Sequence, residues 1–325
     1  VYRITLPTAS PSEQELLWRI AASENGIVYA GDVDLGQIVS KYEMNPGRIY
    51  EAVTNAALSV NEDEVVTTAV LEEQIRRTCS VEFGQNATRL SSPFTWEDLM
   101  VSSTSEHMLR LAADRIRCRA TVLESFGFAR KLPYGRGVAI VLYGPPGTGK
   151  TMAAQVLAKE LGLAIFRVDL SQVSSKYIGE TEKNLGAIFD AAKHSNAVLF
   201  FDEADALFSK RTEVSSSNDK YANAETSYLL QKIEEYTGVS ILATNNLQNF
   251  DIAFKRRMTY LIPIGMPDEA TRTKMWEAAF PESAPLAGNV DFSVLGRAVE
   301  ITGSNIKNAA VAAAYFAAAG EREIT

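Results

Sequence analysis

The sequence predicts an α/β fold in which a five-stranded parallel sheet is flanked by helices and accompanied by two smaller helical regions. Three observations support this prediction. Between Gly137 and Ile264, apolar runs of strand length alternate with helical stretches, which is the pattern of a parallel sheet. A glycine-rich loop follows the first apolar run and precedes a helical pattern. Two similar helical segments, finally, lie before and after the alternating region.

The five expected strands end in polar motifs. Ligands of parallel sheets bind beyond the carboxyl ends of the strands, so the residues that follow each strand are candidate site residues. The strands are expected over residues 138–143, 164–169, 197–202, 239–244 and 260–264.

The two helical segments form an internal repeat. Residues 2–18 match residues 260–276 without a gap, and residues 33–35 match 290–292 after a shift of one position. Each copy is expected to form a short strand, a proline-containing turn and helices, which is too small for half of a catalytic domain. We therefore expect each copy to follow a larger core, and the core that would precede the first copy to belong to a longer parent chain.

The repeat and the composition divide the chain into four parts. The polar stretch FGQNATRLSSP is typical of a linker. We expect a helical lid-like domain over residues 1–82, the linker over 83–93, a catalytic core over 94–264 and a helical lid over 265–325.

The most specific motif is the loop GPPGTGKT, which lies between an expected strand and an expected helix. Its glycines allow close wrapping around a phosphate, and its backbone N–H groups and the helix N-terminus favour negative charge. Lys150 is expected to reach the β- and γ-phosphate oxygens, and Thr151 to bind Mg²⁺. The alternative is a turn that only caps a helix. The candidate nucleotide-binding residues are Gly144, Pro145, Pro146, Gly147, Thr148, Gly149, Lys150, Thr151 and Met152.

Acidic and amide side chains follow two other expected strands. Asp202 is expected to hold Mg²⁺ through water, and Glu203 to polarise the attacking water. Alone, a buried strand that ends in acids is common, but together with the Lys150 loop it indicates a nucleotide site. Asn245 ends the next strand, where it either caps a turn or holds the water or the γ-phosphate.

Two adjacent arginines, Arg256 and Arg257, precede the last expected strand. A run of cations is usually a solvated surface. The alternative is an arginine finger that a subunit supplies to its neighbour.

These motifs together resemble those of the AAA ATPases, the branch of AAA+ proteins that includes spastin- and katanin-like remodellers. The stretches GPPGTGKT, LFFDEAD and ILATNN, the arginine pair and the helical tail carry the resemblance, which covers residues 94–325. It implies ATP and Mg²⁺ as cofactors, ATP hydrolysis and a homo-oligomeric, hexameric ring. It also implies that Asn245 is sensor 1 and that Arg256 and Arg257 act on the neighbouring site.

The resemblance extends to two further segments. Asp98 and Leu99, in FTWEDLM, match the segment that contacts adenine, and Gly303 and Ser304 match lid residues that face the base. The sequence departs from the family at KRRM, where RPGRFD is commoner, and at GSNI, where GADI is usual. Which arginine is the finger therefore stays open, and the lid has no arginine suited to a sensor 2 role.

A short loop, SSKYIGE, carries an aromatic and an aliphatic residue before a glycine. Such apolar bulk in a loop indicates a contact surface, unless Tyr177 packs back onto the following helix. The loop also resembles the family's first pore loop, which grips an extended polypeptide. The candidate pore residues are Lys176, Tyr177 and Ile178.

The composition excludes several classes of protein. Of 325 residues, 46% are hydrophobic and 22% charged, so the chain can build hydrophobic cores. The net charge of −8 disfavours general nucleic-acid binding. Cys79 and Cys118 have no metal-ligand spacing, and the apolar stretch 309–319 is too short to cross a membrane. We therefore expect a protein of the reducing cytoplasm with neither nucleic acid nor membrane as partner.

The leading functional hypothesis is ATP hydrolysis in a ring that remodels, unfolds or threads a protein substrate. The alternative is an ATP-gated assembly or adaptor ATPase that does not thread, for example in a contractile-injection-type machine. A DNA-dependent AAA+ ATPase is less favoured because of the acidic net charge. The arrangement of lid-like segment, linker and full module resembles the second module of a bacterial tandem-AAA protein, preceded by the lid of a first module.

Overall fold

The computed structural model describes residues 9–42, 44–61, 64–78, 87–131, 137–170, 180–193, 197–205, 217–250 and 252–325. These residues form a mixed α/β structure with a six-stranded, mostly parallel sheet that is flanked by helices. The fold class predicted from the sequence is thus confirmed.

The sheet has the strand order β1-β3-β4-β5-β2-β6. All neighbouring strands are parallel except β1, which runs antiparallel to β3 at one edge. The five strands expected from the sequence are confirmed as β2 to β6, and β1 lies inside the stretch expected to be a linker. The strands are β1 Ala87–Leu90, β2 Val138–Tyr143, β3 Ile165–Val168, β4 Val198–Phe201, β5 Val239–Thr244 and β6 Tyr260–Pro263.

The register aligns the carboxyl ends of the three central strands. Val239 of β5 pairs with Val138 of β2 on one side and with Val198 of β4 on the other. Because β5 lies between β2 and β4, the residues that follow all three strands meet at one edge of the sheet.

The helices of the core cover both faces of the sheet. Residues alternate between the faces, so Ile140 and Leu142 pack with α5 and α6, whereas Val141 packs with α7 and α8. Burying each such aliphatic side chain contributes about 1.5–3 kcal/mol, which fixes the sheet between two helical layers. The helices are α5 Ser103–Arg117, α6 Lys150–Leu161, α7 Glu180–Lys193, α8 Ser217–Glu235 and α9 Ile252–Arg257, with a short π-helical turn at Thr121–Ser125.

Four N-terminal helices share a separate hydrophobic core. Trp18, Ile49, Leu71 and Ile75 are fully buried in it. One contact with the sheet domain is a hydrogen bond from the Tyr42 hydroxyl to the carbonyl of Gly162, just after α6. The helices are α1 Pro11–Glu24, α2 Leu35–Lys41, α3 Pro46–Ser59 and α4 Thr68–Thr78.

The C-terminal helices repeat the arrangement of α1 to α3. They are α10 Glu269–Ala278, α11 Phe292–Ala298 and α12 Gly303–Ala319. Aspartates at matching places, Asp34 and Asp291, begin the second helix of each copy. Parallel bridges also match, Tyr29 with Val66 in the first copy and Leu286 with Ile324 in the second.

Matching buried positions carry the same side chain in the two copies. Trp18 and Trp276 are both buried, and each indole N–H lacks a hydrogen-bond partner in the described structure. The sequence repeat therefore corresponds to a repeat of three-dimensional structure.

Within the described ranges, none of the helices has both the length and the apolar character needed to cross a lipid bilayer.

Candidate nucleotide-binding site

The loop between β2 and α6 is shaped by glycines. Gly144 has φ +151°, and a Cβ there would lie 2.0 Å from the carbonyl oxygen of Ile264. Gly149 has φ +104° and begins α6 without any side-chain cap. The first N–H groups of α6 are consequently not satisfied by a capping side chain, and they favour an anion at this end of the helix.

The lid contacts the same loop. Ser304 donates its backbone N–H to the carbonyl oxygen of Gly147 at 3.2 Å. Gly147 has φ +77°, and a Cβ there would lie 2.8 Å from the hydroxyl oxygen of Thr302. A Cβ on Gly303 would lie 4.0 Å from the Gly147 carbonyl oxygen. The lid residues chosen from the sequence, Gly303 and Ser304, therefore lie against the phosphate loop.

Lys150 joins the loop to the neighbouring strand. Its Nζ donates to the carbonyl oxygens of Gly144 and Pro145 and to Oδ1 of Asn245, each at 2.8 Å. Burial lowers the pKa of the Lys150 ammonium below its ordinary value, whereas the carboxylates of Asp202 and Asp205 oppose that shift. The structure therefore brings Lys150, Asn245 and the acidic strand end together.

The other loop residues chosen from the sequence differ in their burial. The hydroxyl of Thr148 is buried and donates to the carbonyl of Pro145 at 2.9 Å, whereas Pro145 and Pro146 are exposed. Thr151 is half-buried in the first turn of α6, and Met152 packs against the hydrophobic core beneath it.

The acids after β4 occupy a tight turn. Asp202 is half-buried and accepts the backbone N–H of Glu203 at 3.0 Å. Glu203 is exposed and has φ +50°, a left-handed conformation that is uncommon for residues other than glycine. Such strain concentrates at functional sites, which is consistent with the role assigned to Glu203 from the sequence.

Asp205 belongs to the site as well, although no role was predicted for it from the sequence. Its carboxylate accepts the backbone N–H groups of Asn245 at 2.8 Å and of Asn246 at 3.3 Å, and also the hydroxyl of Thr244. The signal in the sequence was a third acid two positions after Glu203, but its partners are about forty residues away.

The two arginines differ in their surroundings. Arg257 ends α9 and forms an ion pair with Glu234 of α8, with 3.0 Å between Nε and Oε1. Arg256 is exposed and has neither a hydrogen bond nor an ion pair to any part of the chain that the structure describes. Within these residues, neither arginine forms a hydrogen bond or an ion pair with the Lys150 loop.

The segment chosen for adenine contact forms a local turn. The carboxylate of Asp98 accepts the N–H of Thr95 at 2.7 Å and its hydroxyl at 2.9 Å, and these bonds lower the pKa of Asp98. Leu99 is buried in the core that also contains Leu157 of α6. Contact of Asp98 or Leu99 with a base remains a prediction.

Lys176, Tyr177 and Ile178 lie outside the described residues, so their role as a pore loop also remains a prediction.

The donor set at the loop suits Mg²⁺. Across the described ranges, no group of three or more His, Cys, Asp or Glu side chains could hold a metal ion. Mg²⁺ usually takes only one or two protein oxygens and completes its shell with water and phosphate oxygens. The hydroxyl of Thr151 and the carboxylate of Asp202 are ligands of this kind.

A mostly parallel sheet, a glycine loop before α6, a lysine at the start of α6 and acids just after a central strand together define a P-loop nucleotide-binding domain. Residues 140–266 match the sequence model of the AAA family, described as "ATPase family associated with various cellular activities". Over residues 140–266, the chain is therefore similar to AAA ATPase domains.

Three curated relatives illustrate the similarity. The ATPase family gene 2 protein of Schizosaccharomyces pombe is 42% identical over 153 residues, which are 46% of this chain and 18% of that protein. The proteasome-activating nucleotidase of Saccharolobus solfataricus is 31% identical over 186 residues, 55% of this chain and 47% of the relative. The vacuolar protein sorting-associated protein 4 of Dictyostelium discoideum is 32% identical over 173 residues, which are 51% of this chain and 38% of that protein. The matched part thus spans less than half the length of each relative.

Proposed function

We propose that this chain hydrolyses ATP with Mg²⁺ and that the turnover drives the remodelling of a protein substrate by a hexameric ring of its copies. The observation that carries the proposal is the contact between Lys150 of the phosphate loop and Asn245, at the end of the strand that separates the loop from Asp202 and Glu203.

The roles of the site residues follow from their positions. The uncapped N-terminus of α6 and the Lys150 ammonium bind and orient the phosphates. Glu203 accepts a proton from the attacking water, and Asn245 holds the water or the γ-phosphate from the adjacent strand. Thr151 and Asp202 would hold Mg²⁺, and the ion when bound would neutralise phosphate charge.

Arg256 is the better candidate for the finger that completes a neighbouring site. Arg257 is already paired with Glu234 in its own subunit, whereas the Arg256 guanidinium has no partner among the described residues. An arginine supplied in trans must be free to leave its own subunit's surface, which favours Arg256.

A protein is the favoured substrate. Two of the relatives are named for the proteasome and for protein sorting, and both names concern the handling of proteins. The net charge of −8 disfavours nucleic acid as the alternative. In this proposal Tyr177, with Lys176 and Ile178, grips the polypeptide, and the chain works in the reducing cytoplasm.

The structural repeat supports a tandem arrangement. Helices α1 to α3 match α10 to α12, and the second set is the lid that contacts the Gly147 loop. We propose that the first set is likewise the lid of another AAA module. A reading frame that carries a second glycine-rich phosphate loop before residue 1 would agree with this, and a frame without one would contradict it.

The proposed function is tested by ATP turnover of the full chain at increasing protein concentration, with sizes measured by light scattering. We expect hydrolysis that rises more steeply than the protein concentration as the ring forms, and that is lost in Glu203→Gln. A denatured reporter protein measures remodelling, which Tyr177→Ala should abolish while ATP turnover persists. Turnover without remodelling in the wild type would favour an ATP-gated assembly protein.

A further inference from the structure

We infer that Asp205 is a positioning residue that fixes Glu203 and Asn245 relative to each other by clamping the turn after β4 to the end of β5. The inference rests on the proposed ATP hydrolysis and deepens it.

The clamp consists of one carboxylate and three donors. Asp205 accepts the hydroxyl of Thr244 and the backbone N–H groups of Asn245 and Asn246, at N···O distances of 2.8 and 3.3 Å for the two amides. The Thr244 hydroxyl also accepts the N–H of Asn246 at 3.1 Å, which closes a small network. Because Thr244 is 1% exposed, water cannot readily replace the carboxylate as its acceptor.

Glu203 is held on both sides by bonds to β5. Before it, Phe201 pairs with Leu242, and after it, the N–H of Ala204 donates to the carbonyl of Ala243 at 2.9 Å. Asp205 adds the third attachment, one residue further on. The strained φ of +50° at Glu203 persists only where the surrounding bonds enforce it, and these attachments do so.

The same clamp fixes the amide of Asn245. The backbone N–H of Asn245 donates a hydrogen bond to Asp205, and the side-chain Oδ1 of Asn245 accepts one from Nζ of Lys150 at 2.8 Å. A single carboxylate thus links the residue that would polarise water, the residue that would hold the γ-phosphate and, through Asn245, the lysine of the loop. A displacement of about 1 Å at such a site can cost roughly 100-fold in rate.

Asp291 provides a comparison, because its carboxylate accepts the same kinds of donor within a local turn. Asp291 at the start of α11 also accepts one hydroxyl and two backbone N–H groups, from Ser293 and Val294. Its partners are two and three residues away in the lid, whereas those of Asp205 are 39 to 41 residues away on another strand. Only the Asp205 bonds therefore couple two separate site residues.

The test measures steady-state ATP hydrolysis by the full chain that carries Asp205→Asn. This change keeps the shape of the side chain, but its N–H₂ group then faces one of the three donors that the carboxylate accepts. We expect kcat to fall about 10-fold or more, while KM and the Kd for ADP change by less than about 3-fold. Asp291→Asn is the control and should keep kcat within about 2-fold of the wild type.

A double-mutant cycle separates positioning from a general loss of structure. If Asp205 acts through Asn245, Asp205→Asn should lower kcat by less than about 2-fold in an Asn245→Ala background. The inference would be overturned if the fold losses of kcat in the two single variants multiplied in the double variant. It would also be overturned if Asp205→Asn kept the kcat of the wild type.

A second variant covers the case in which Asp205→Asn does not fold. Thr244→Val keeps the side-chain shape and removes one donor, so kcat should fall about 3-fold with KM unchanged. An unchanged kcat in this variant would overturn the inference while ATP turnover by the wild type still supported the proposed function. Nucleotide binding without turnover in the wild type would overturn both.

Discussion

Nζ of Lys150 lies 2.8 Å from Oδ1 of Asn245, 95 residues further along the chain. The other two bonds of this ammonium go to Gly144 and Pro145, so all three of its donors are used within the loop and the neighbouring strand end. A bound phosphate therefore competes with these acceptors for the same ammonium. We expect nucleotide binding to change the hydrogen bonding of Asn245.

Lys150→Ala should weaken nucleotide binding. The change removes charge-assisted bonds worth about 1.5–3 kcal/mol each, so the Kd for a fluorescent ATP analogue should rise about 10- to 100-fold. Lys159→Ala is the matched control, because Lys159 lies in the last turn of the same helix and donates to the carbonyl of Pro93 at 2.7 Å. An equal loss of affinity in both variants would contradict the role of Lys150.

Glu203→Gln should separate binding from hydrolysis. The amide keeps the size of the side chain but accepts no proton from water, so kcat should fall about 100-fold or more while ATP stays bound. Glu321→Gln is the control, since Glu321 is also an exposed glutamate with positive φ, +48°. Turnover at the wild-type rate in Glu203→Gln would exclude Glu203 as the general base.

Glu203→Gly should stabilise the fold while abolishing hydrolysis. Glycine relieves the left-handed strain of about 1–3 kcal/mol, and the greater freedom of the unfolded chain offsets part of that gain. We expect the free energy of unfolding in urea to rise by about 1 kcal/mol. Glu321→Gly should give a similar gain with ATP turnover retained, and a destabilised Glu203→Gly would show that φ +50° carries no strain.

Much of this arrangement could be predicted because the signals are local. The strands β2 and β5 begin and end where the apolar runs of the sequence do, and the glycine loop precedes α6 as expected. The edge strand β1 was not predicted because only one of its four residues is buried and its partner, β3, is about eighty positions away.

The clamp at Asp205 shows the limit of local reasoning at the site. Asp202 and Glu203 are recognisable from a strand that ends in acids, but the partner of a third acid depends on which strands are neighbours. The same limit applied to the two arginines. Adjacent in sequence, they are distinguished only by Glu234, which α8 brings to Arg257.

Arg256→Ala and Arg257→Ala should differ in their effects. Arg256→Ala should reduce kcat about 1,000-fold or more, because trans-acting arginines contribute on that scale. Arg257→Ala removes an ion pair whose partners are 40% and 41% exposed, so it should cost less than about 1 kcal/mol of stability. Mixing Arg256→Ala with Glu203→Gln subunits should restore turnover at sites where an intact Glu203 meets an intact Arg256. A larger loss of kcat in Arg257→Ala would reverse the assignment.

Gly144→Ala should be strongly destabilising, since the backbone just after β6 leaves no room for a methyl group. The new Cβ would lie 2.0 Å from the carbonyl oxygen of Ile264, and φ is +151°. A shift there would also disturb the bond from the N–H of Ile264 to the carbonyl of Tyr143, 2.7 Å long. We expect urea denaturation to show a loss of about 2–5 kcal/mol.

The matched control for this change is Gly265→Ala, one residue beyond Ile264. A Cβ at Gly265 would meet no atom within 4 Å, and its φ lies outside the left-handed range. Alanine there should raise the free energy of unfolding by at most about 1 kcal/mol, because it reduces the conformational freedom of the unfolded chain. Equal stability of the two variants would mean that the loop after β2 can move away from β6. The close approach of Gly144 to Ile264 would then not fix the position of the phosphate loop.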